Sequence, residues 1–98
     1  MGSSMKKNVE RFLTLHPQGK KGVNIEKQKY EMFRAAIIAR LQRGQPTFTD
    51  LATSIREELG GSFKGSVGWY VESVKLDLEA RKVIERISNS RPQRYRLL

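Results

Sequence analysis

Val67, Val71, Val74 and Leu78 recur at intervals of four, three and four residues, a spacing that predicts one apolar stripe along a helix. Gly65 supplies a turn before it, and Ser66 an oxygen able to cap its first N–H groups. Past Arg81 the period falls to two. Val83, Glu85 and Ile87 alternate with Ile84, Arg86 and Ser88, the mark of a strand. Ser88-Asn89-Ser90-Arg91-Pro92 then reads as a turn, and Gln93 to Leu97 as a second strand. Upstream, Tyr30, Phe33, Ile37 and Leu41 mark a longer helix, widened by Ala36 and Ile38. Asn24 suits its N-cap and Glu26 its first turn; it runs to about Arg43, where Gly44 ends it and Pro46 prevents resumption. Leu51, Ile55 and Leu59 mark a helix between these two, capped by Thr49 and ended by Gly60-Gly61. Pro46-Thr47-Phe48 is an extended link suited to adding a third strand to the hairpin. The expected class is therefore mainly α with a small antiparallel β-sheet (α+β): three helices, then a hairpin of two or three strands.

The first 22 residues are less regular. Val9, Phe12, Leu13 and Leu15 suit a short amphipathic turn or strand, and His16-Pro17-Gln18-Gly19-Lys20-Lys21-Gly22 reads as a loop. We expect residues 1–22 to form a basic, partly flexible arm and residues 23–98 the folded domain. Met1-Gly2-Ser3-Ser4 looks like an expression scar ahead of a natural start at Met5. Two roles suit the arm: lying along phosphates, or a frayed terminus anchored by a few apolar residues, the second preferred.

Charge sharpens the picture. The 98 residues carry a formal charge of +9 and a pI near 10.3, which favours nucleic acid or an anionic surface as partner, with a soluble protein that happens to be basic kept as the alternative. Seven basic and two acidic residues lie from Lys6 to Lys29, and six basic residues and one acid from Arg81 to Leu98. The middle is nearly balanced, so the footprint is at the two ends. There is no cysteine, no signal-peptide pattern and no run long enough to span a membrane, which makes the cytoplasm the expected compartment.

Catalysis has little to stand on. His16 is the only histidine, Glu57-Glu58 and Asp77/Glu79 are pairs in sequence alone, and no metal-ligand spacing occurs. Gly60-Gly61-Ser62-Phe63-Lys64-Gly65 lacks both the strand before a phosphate-binding loop and the lysine it needs, so nucleotide binding is rejected. Phe63 is expected in the core. No enzyme activity, cofactor, metal, membrane or small-molecule ligand is expected.

The outward side of the third helix mixes Trp69, Glu72, Ser73, Leu76 and Ala80, with Lys75 on one flank and Tyr70 and Asp77 on the other. Trp69 and Leu76 suit three roles, taken in this order: cover by the segment around Phe12 and Leu13, a protein–protein contact such as a homodimer, or packing on nucleic acid. The hairpin is the better nucleic-acid element, because Arg91, Arg94 and Arg96 gather on it with Lys82 and Arg86. Alternation puts Arg94 and Arg96 on one face and Tyr95 and Leu97 on the other.

The order helix, short strand, helix, helix, hairpin resembles the winged helix-turn-helix superfamily. Gly65-Ser66-Val67-Gly68-Trp69-Tyr70, Val74-Lys75-Leu76-Asp77-Leu78-Glu79-Ala80-Arg81, Ile84-Glu85-Arg86 and Arg91-Pro92-Gln93-Arg94 resemble a family of small uncharacterised prokaryotic proteins over about Asn24 to Leu98. That family carries no activity across. The superfamily implies binding of double-stranded DNA, as in a transcriptional regulator, with Ser66 to Lys75 as recognition segment and Ser88 to Arg94 as wing. The expected DNA contacts are Lys64, Ser66, Tyr70, Ser73, Lys75, Arg86, Arg91, Arg94 and Arg96, although Glu72, Asp77 and Glu79 oppose major-groove entry. The alternative is a protein-interaction module using Trp69 and Leu76, without specific DNA binding.

Overall fold

A computed structural model describes residues 10–98. Residues 1–9, with the expected scar and the first two lysines of the arm, lie outside the described residues. The chain forms three helices and two small antiparallel sheets, an α+β fold. Strand β1 (Arg11–Leu13) pairs with β2 (Asn24–Glu26), Phe12 lying opposite Ile25. Helices α1 (Lys27–Leu41), α2 (Phe48–Leu59) and α3 (Val67–Ala80) follow. Strands β3 (Ile84–Arg86) and β4 (Tyr95–Leu97) close the fold as a hairpin.

The β1–β2 hairpin corrects the expected start of the first helix. Asn24 is not a cap but a strand residue, because Ile25 is drawn into the core against Phe12. Glu26 takes the N-cap position and makes no side-chain cap. Thr14 reinforces the pairing: its N–H donates to the Val23 carbonyl at 2.9 Å and its hydroxyl accepts from the Val23 N–H at 2.9 Å. Gly22 makes that approach feasible, since a Cβ there would overlap the Thr14 carbonyl. Phe12 then stacks on Tyr30 with ring centres 4.0 Å apart, which seats the hairpin on α1.

The three helices bury the stripes that their spacing predicts: Tyr30, Phe33, Ile37 and Leu41 from α1, Leu51 and Ile55 from α2, Val67, Val71, Val74 and Leu78 from α3. Helix α2 begins earlier than expected. Thr47, not Thr49, is its N-cap: the Thr47 hydroxyl accepts from Asp50 N–H at 3.0 Å, and Asp50 Oδ2 accepts from Thr47 N–H at 3.2 Å. This reciprocal box satisfies two orphan donors, which a cap at Thr49 could not do with Asp50 adjacent. Ser66 caps α3 as expected, its hydroxyl accepting from Trp69 N–H at 3.2 Å.

Helix α3 ends with Lys82 in the left-handed region at φ 64°, its N–H bonded to the Glu79 carbonyl and that of Val83 to Leu78. The two bonds form a Schellman stop that turns the chain straight into β3. The expected third strand of the hairpin reduces to one bridge, Thr47 opposite Arg94, beside a bond from Tyr95 N–H to the Pro46 carbonyl at 3.1 Å. Helix α3 lies at the centre, touching both other helices and feeding the β3–β4 hairpin.

Candidate nucleic-acid interface

The β3–β4 hairpin separates its side chains by pleat. Ile84 and Tyr95 are buried, while Glu85 and Arg96 stand opposite each other on the outer face. Arg96 Nε donates to Glu85 Oε2 at 2.6 Å, which offsets part of its charge. Arg86 is on the inner face: its Nε donates to Glu79 Oε1 at 2.8 Å and its guanidinium lies 5.9 Å from the Tyr95 ring centre. The hydrogen bond to Glu79 raises the Arg86 pKa further, so it stays charged. Arg91 is exposed in the turn, before a cis peptide to Pro92.

Arg94 leads away from the hairpin. Its Nη1 donates to the Gln45 carbonyl at 2.8 Å, reaching the connection between α1 and α2. There Arg94, Arg40 and Arg43 line one open groove of about 310 Å³ with Asp50 and Ser54. Arg40 is already occupied, with Nε on Ser54 Oγ at 2.9 Å and Nη2 on Glu58 Oε1 at 2.7 Å. Arg43 is exposed and has no carboxylate partner among the described residues. Hydrogen bonding to Thr47, first its backbone and then its side chain, holds Asp50 below the usual carboxylate range, with Arg94 adding to the effect. Arg40 and Arg43 are absent from the candidates that the sequence supplies. Nothing local in the sequence joins Arg43 to a residue 51 positions later.

The third helix offers much less than expected. Lys75 is only 2% exposed: Nζ donates to Glu79 Oε2 at 2.9 Å and sits 4.8 Å from the Tyr95 ring centre. Ser73 is buried as well, where it shares a small pocket with Leu76, Thr14, Leu15 and Val23. The expectation that Ser73 and Lys75 face DNA is therefore corrected; one lies beside the β1–β2 hairpin and the other behind the β3–β4 hairpin. Asp77, expected on a flank, is fully buried. It accepts from the Leu15 N–H at 2.8 Å, from Arg81 Nε at 2.9 Å and from the Tyr30 hydroxyl. Burial, then the bond to Asp77, pushes the Tyr30 pKa up to about 12.

Lys64 and Ser66 stay exposed, although the Ser66 hydroxyl is engaged as a cap. Tyr70 is half-buried, stacked 5.0 Å from Phe33 and edge-on to Phe63, which tucks against the core as expected. Leu76 is half-buried beside Leu15, but Trp69 keeps 44% of its surface exposed. The expected cover is thus partial, with Phe12 stacked on Tyr30 and Leu13 exposed.

A family model described as "Family of unknown function (DUF6958)" matches residues 11–95. The chain belongs to DUF6958. No curated protein and no solved structure matches the chain. The match begins at β1 and runs to the start of β4, so it takes in the N-terminal hairpin together with the three helices. Among the described residues, no group of three His, Cys, Asp or Glu side chains could hold a metal, and no helix is long and apolar enough to cross a membrane.

Proposed function

We propose that this DUF6958 protein is a winged-helix protein that binds double-stranded DNA through phosphate contacts from its wing, as a transcriptional regulator or DNA-associated factor in the cytoplasm. The observation that carries the reading is the arginine surface running from the exposed turn at Arg91 to Arg94, which meets Arg43 at the foot of the wing. Helix order, the terminal hairpin and the bridge from Thr47 to Arg94 support the winged-helix relation. The mode differs from insertion of a recognition helix, since α3 has eight buried residues and keeps Glu72 on its outer side. Arginines on a ribbon suit backbone or minor-groove contact, which positions a protein without reading the major-groove code.

The test is replacement of Arg91, Arg94 and Arg96 by alanine, with affinity for a mixed-sequence duplex followed across salt concentrations. Each phosphate that a wing arginine neutralises adds about one unit to the slope of log affinity against log salt, so the variant's slope is correspondingly shallower. A triple variant that binds with wild-type affinity and slope rules the wing out. A second reading rests on the exposed Trp69, with half-buried Leu76 seven residues on along the same helix, as a contact for a protein partner or a second copy. Under it, Trp69→Ala abolishes self-association in analytical ultracentrifugation while the monomer stays folded; unfolding instead would make Trp69 a core residue.

A further inference from the structure

The geometry points to a phosphodiester-binding site in the groove between the C-terminal end of α1 and the start of α2, with Arg43 and Arg94 as its ligands. The inference rests on the DNA-binding reading for its natural occupant and adds a contact outside the wing. Charge decides the ligand class. Arg40 is paired with Glu58 and fastened to Ser54, so it forms a wall rather than a binding group. Arg94 is tied by one nitrogen to a neutral carbonyl, that of Gln45, which fixes the guanidinium and leaves its charge uncompensated by that bond. Arg43 faces the same groove with no carboxylate partner among the described residues.

Asp50 also lines the groove and stays ionised through its bonds with Thr47. Two guanidinium groups against one carboxylate leave a single net positive charge. A phosphodiester is a monoanion and balances it; a phosphomonoester, with nearly two charges, meets repulsion from Asp50. Guanidinium forks also match the paired oxygens of a phosphate. The helix start itself is not the attraction, because Thr47 already takes the Asp50 N–H and the Asp50 carboxylate stands at that end as a fixed negative charge.

The experiment follows amide and arginine Nε resonances while labelled protein is titrated with dimethyl phosphate, with inorganic phosphate and with a short mixed-sequence duplex. Wild type is compared with Arg43→Ala, Arg94→Lys and Arg91→Ala. Unchanged amide spectra away from each substitution establish that the variants are folded. The expected result is that the duplex shifts Arg43, Gln45 and Arg94, and that Arg43→Ala weakens duplex binding by about tenfold and lowers its salt slope by about one unit. Groove shifts with dimethyl phosphate exceeding those with inorganic phosphate support the monoanion preference; the reverse order overturns it. If dimethyl phosphate moves the groove and the duplex does not bind, the site stands and the DNA reading fails. If Arg91→Ala weakens duplex binding while Arg43→Ala leaves affinity and slope unchanged, the DNA reading stands and the site is overturned. Silence of the groove toward all three probes overturns it outright.

Discussion

Asp77 shows how one residue can join three segments that lie far apart in the chain. Its carboxylate takes the Leu15 N–H from the N-terminal hairpin, the Tyr30 hydroxyl from α1 and the Arg81 guanidinium from its own helix end. Arg81 in turn lies 5.0 Å from the Phe12 ring centre, closing the cluster. A buried carboxylate is tolerated here because several donors satisfy it. The consequence is a pH dependence carried by Tyr30. Its folded pKa is raised to about 12, by burial first and by Asp77 second, above the ordinary value of 10.0. A raised pKa means that the contribution to stability is complete below pH 10 and is lost as pH climbs through 12. Two pKa units correspond to about 2–3 kcal/mol. Urea unfolding at a series of alkaline pH values should show wild type losing that much more stability than Tyr30→Phe over this window. Parallel curves for the two proteins would mean that neither burial nor Asp77 raises the pKa of the hydroxyl.

At the scale of elements, legibility follows the range of the interactions that make each one. The helical stripes and the alternation after Arg81 are local, so Val67 to Leu78 and Tyr30 to Leu41 can be read directly and are buried as read. The first hairpin cannot be read in the same way. Three-residue strands are too short to show a period, and their stability comes from Phe12 meeting Ile25 and Tyr30 in space. Candidate site residues divide similarly. The separation of Arg94 and Arg96 from buried Tyr95 follows from the pleat, whereas the groove joining Arg94 to Arg43 depends on tertiary structure alone. One correction does have a local signal: Lys75 and Glu79 are four apart on a helix, the spacing of an ion pair. Gly22 makes the first hairpin testable as an element. Gly22→Ala drives a methyl group into the Thr14 carbonyl, so the strands must part. We expect a loss of about 1–3 kcal/mol, typical of overpacking, with faster hydrogen exchange at Thr14 and Val23 before the helices are affected. Retention of wild-type protection there would show that the loop absorbs the change.

For the whole molecule, α3 is the axis on which the two sheets are hung. The Asp77 cluster fastens it to the N-terminal hairpin, and Lys75 with Glu79 fastens it to the wing through Arg86 and Tyr95. A helix enclosed in this way serves as scaffold, and the exposed arginines lie outside it, on the C-terminal hairpin and at the end of α1. Lys75→Met separates that arrangement from insertion of α3 into a DNA groove. Methionine keeps the apolar contact of the lysine stem and removes its charge, while Glu79 retains Arg86 as partner. Breaking one arm of a buried pair costs about 3–5 kcal/mol when the remaining charge is stranded, so the retained partner places the loss toward about 2 kcal/mol. If the protein binds duplex DNA as proposed, the folded variant's affinity and salt slope should equal those of wild type, since only 2% of Lys75 reaches solvent. A folded Lys75→Met protein whose salt slope falls by a unit would mean that DNA binding displaces the wing from α3 and presents the lysine to phosphate. The scaffold would then be a switch, and the wing arginines would act after that rearrangement rather than as the first point of contact.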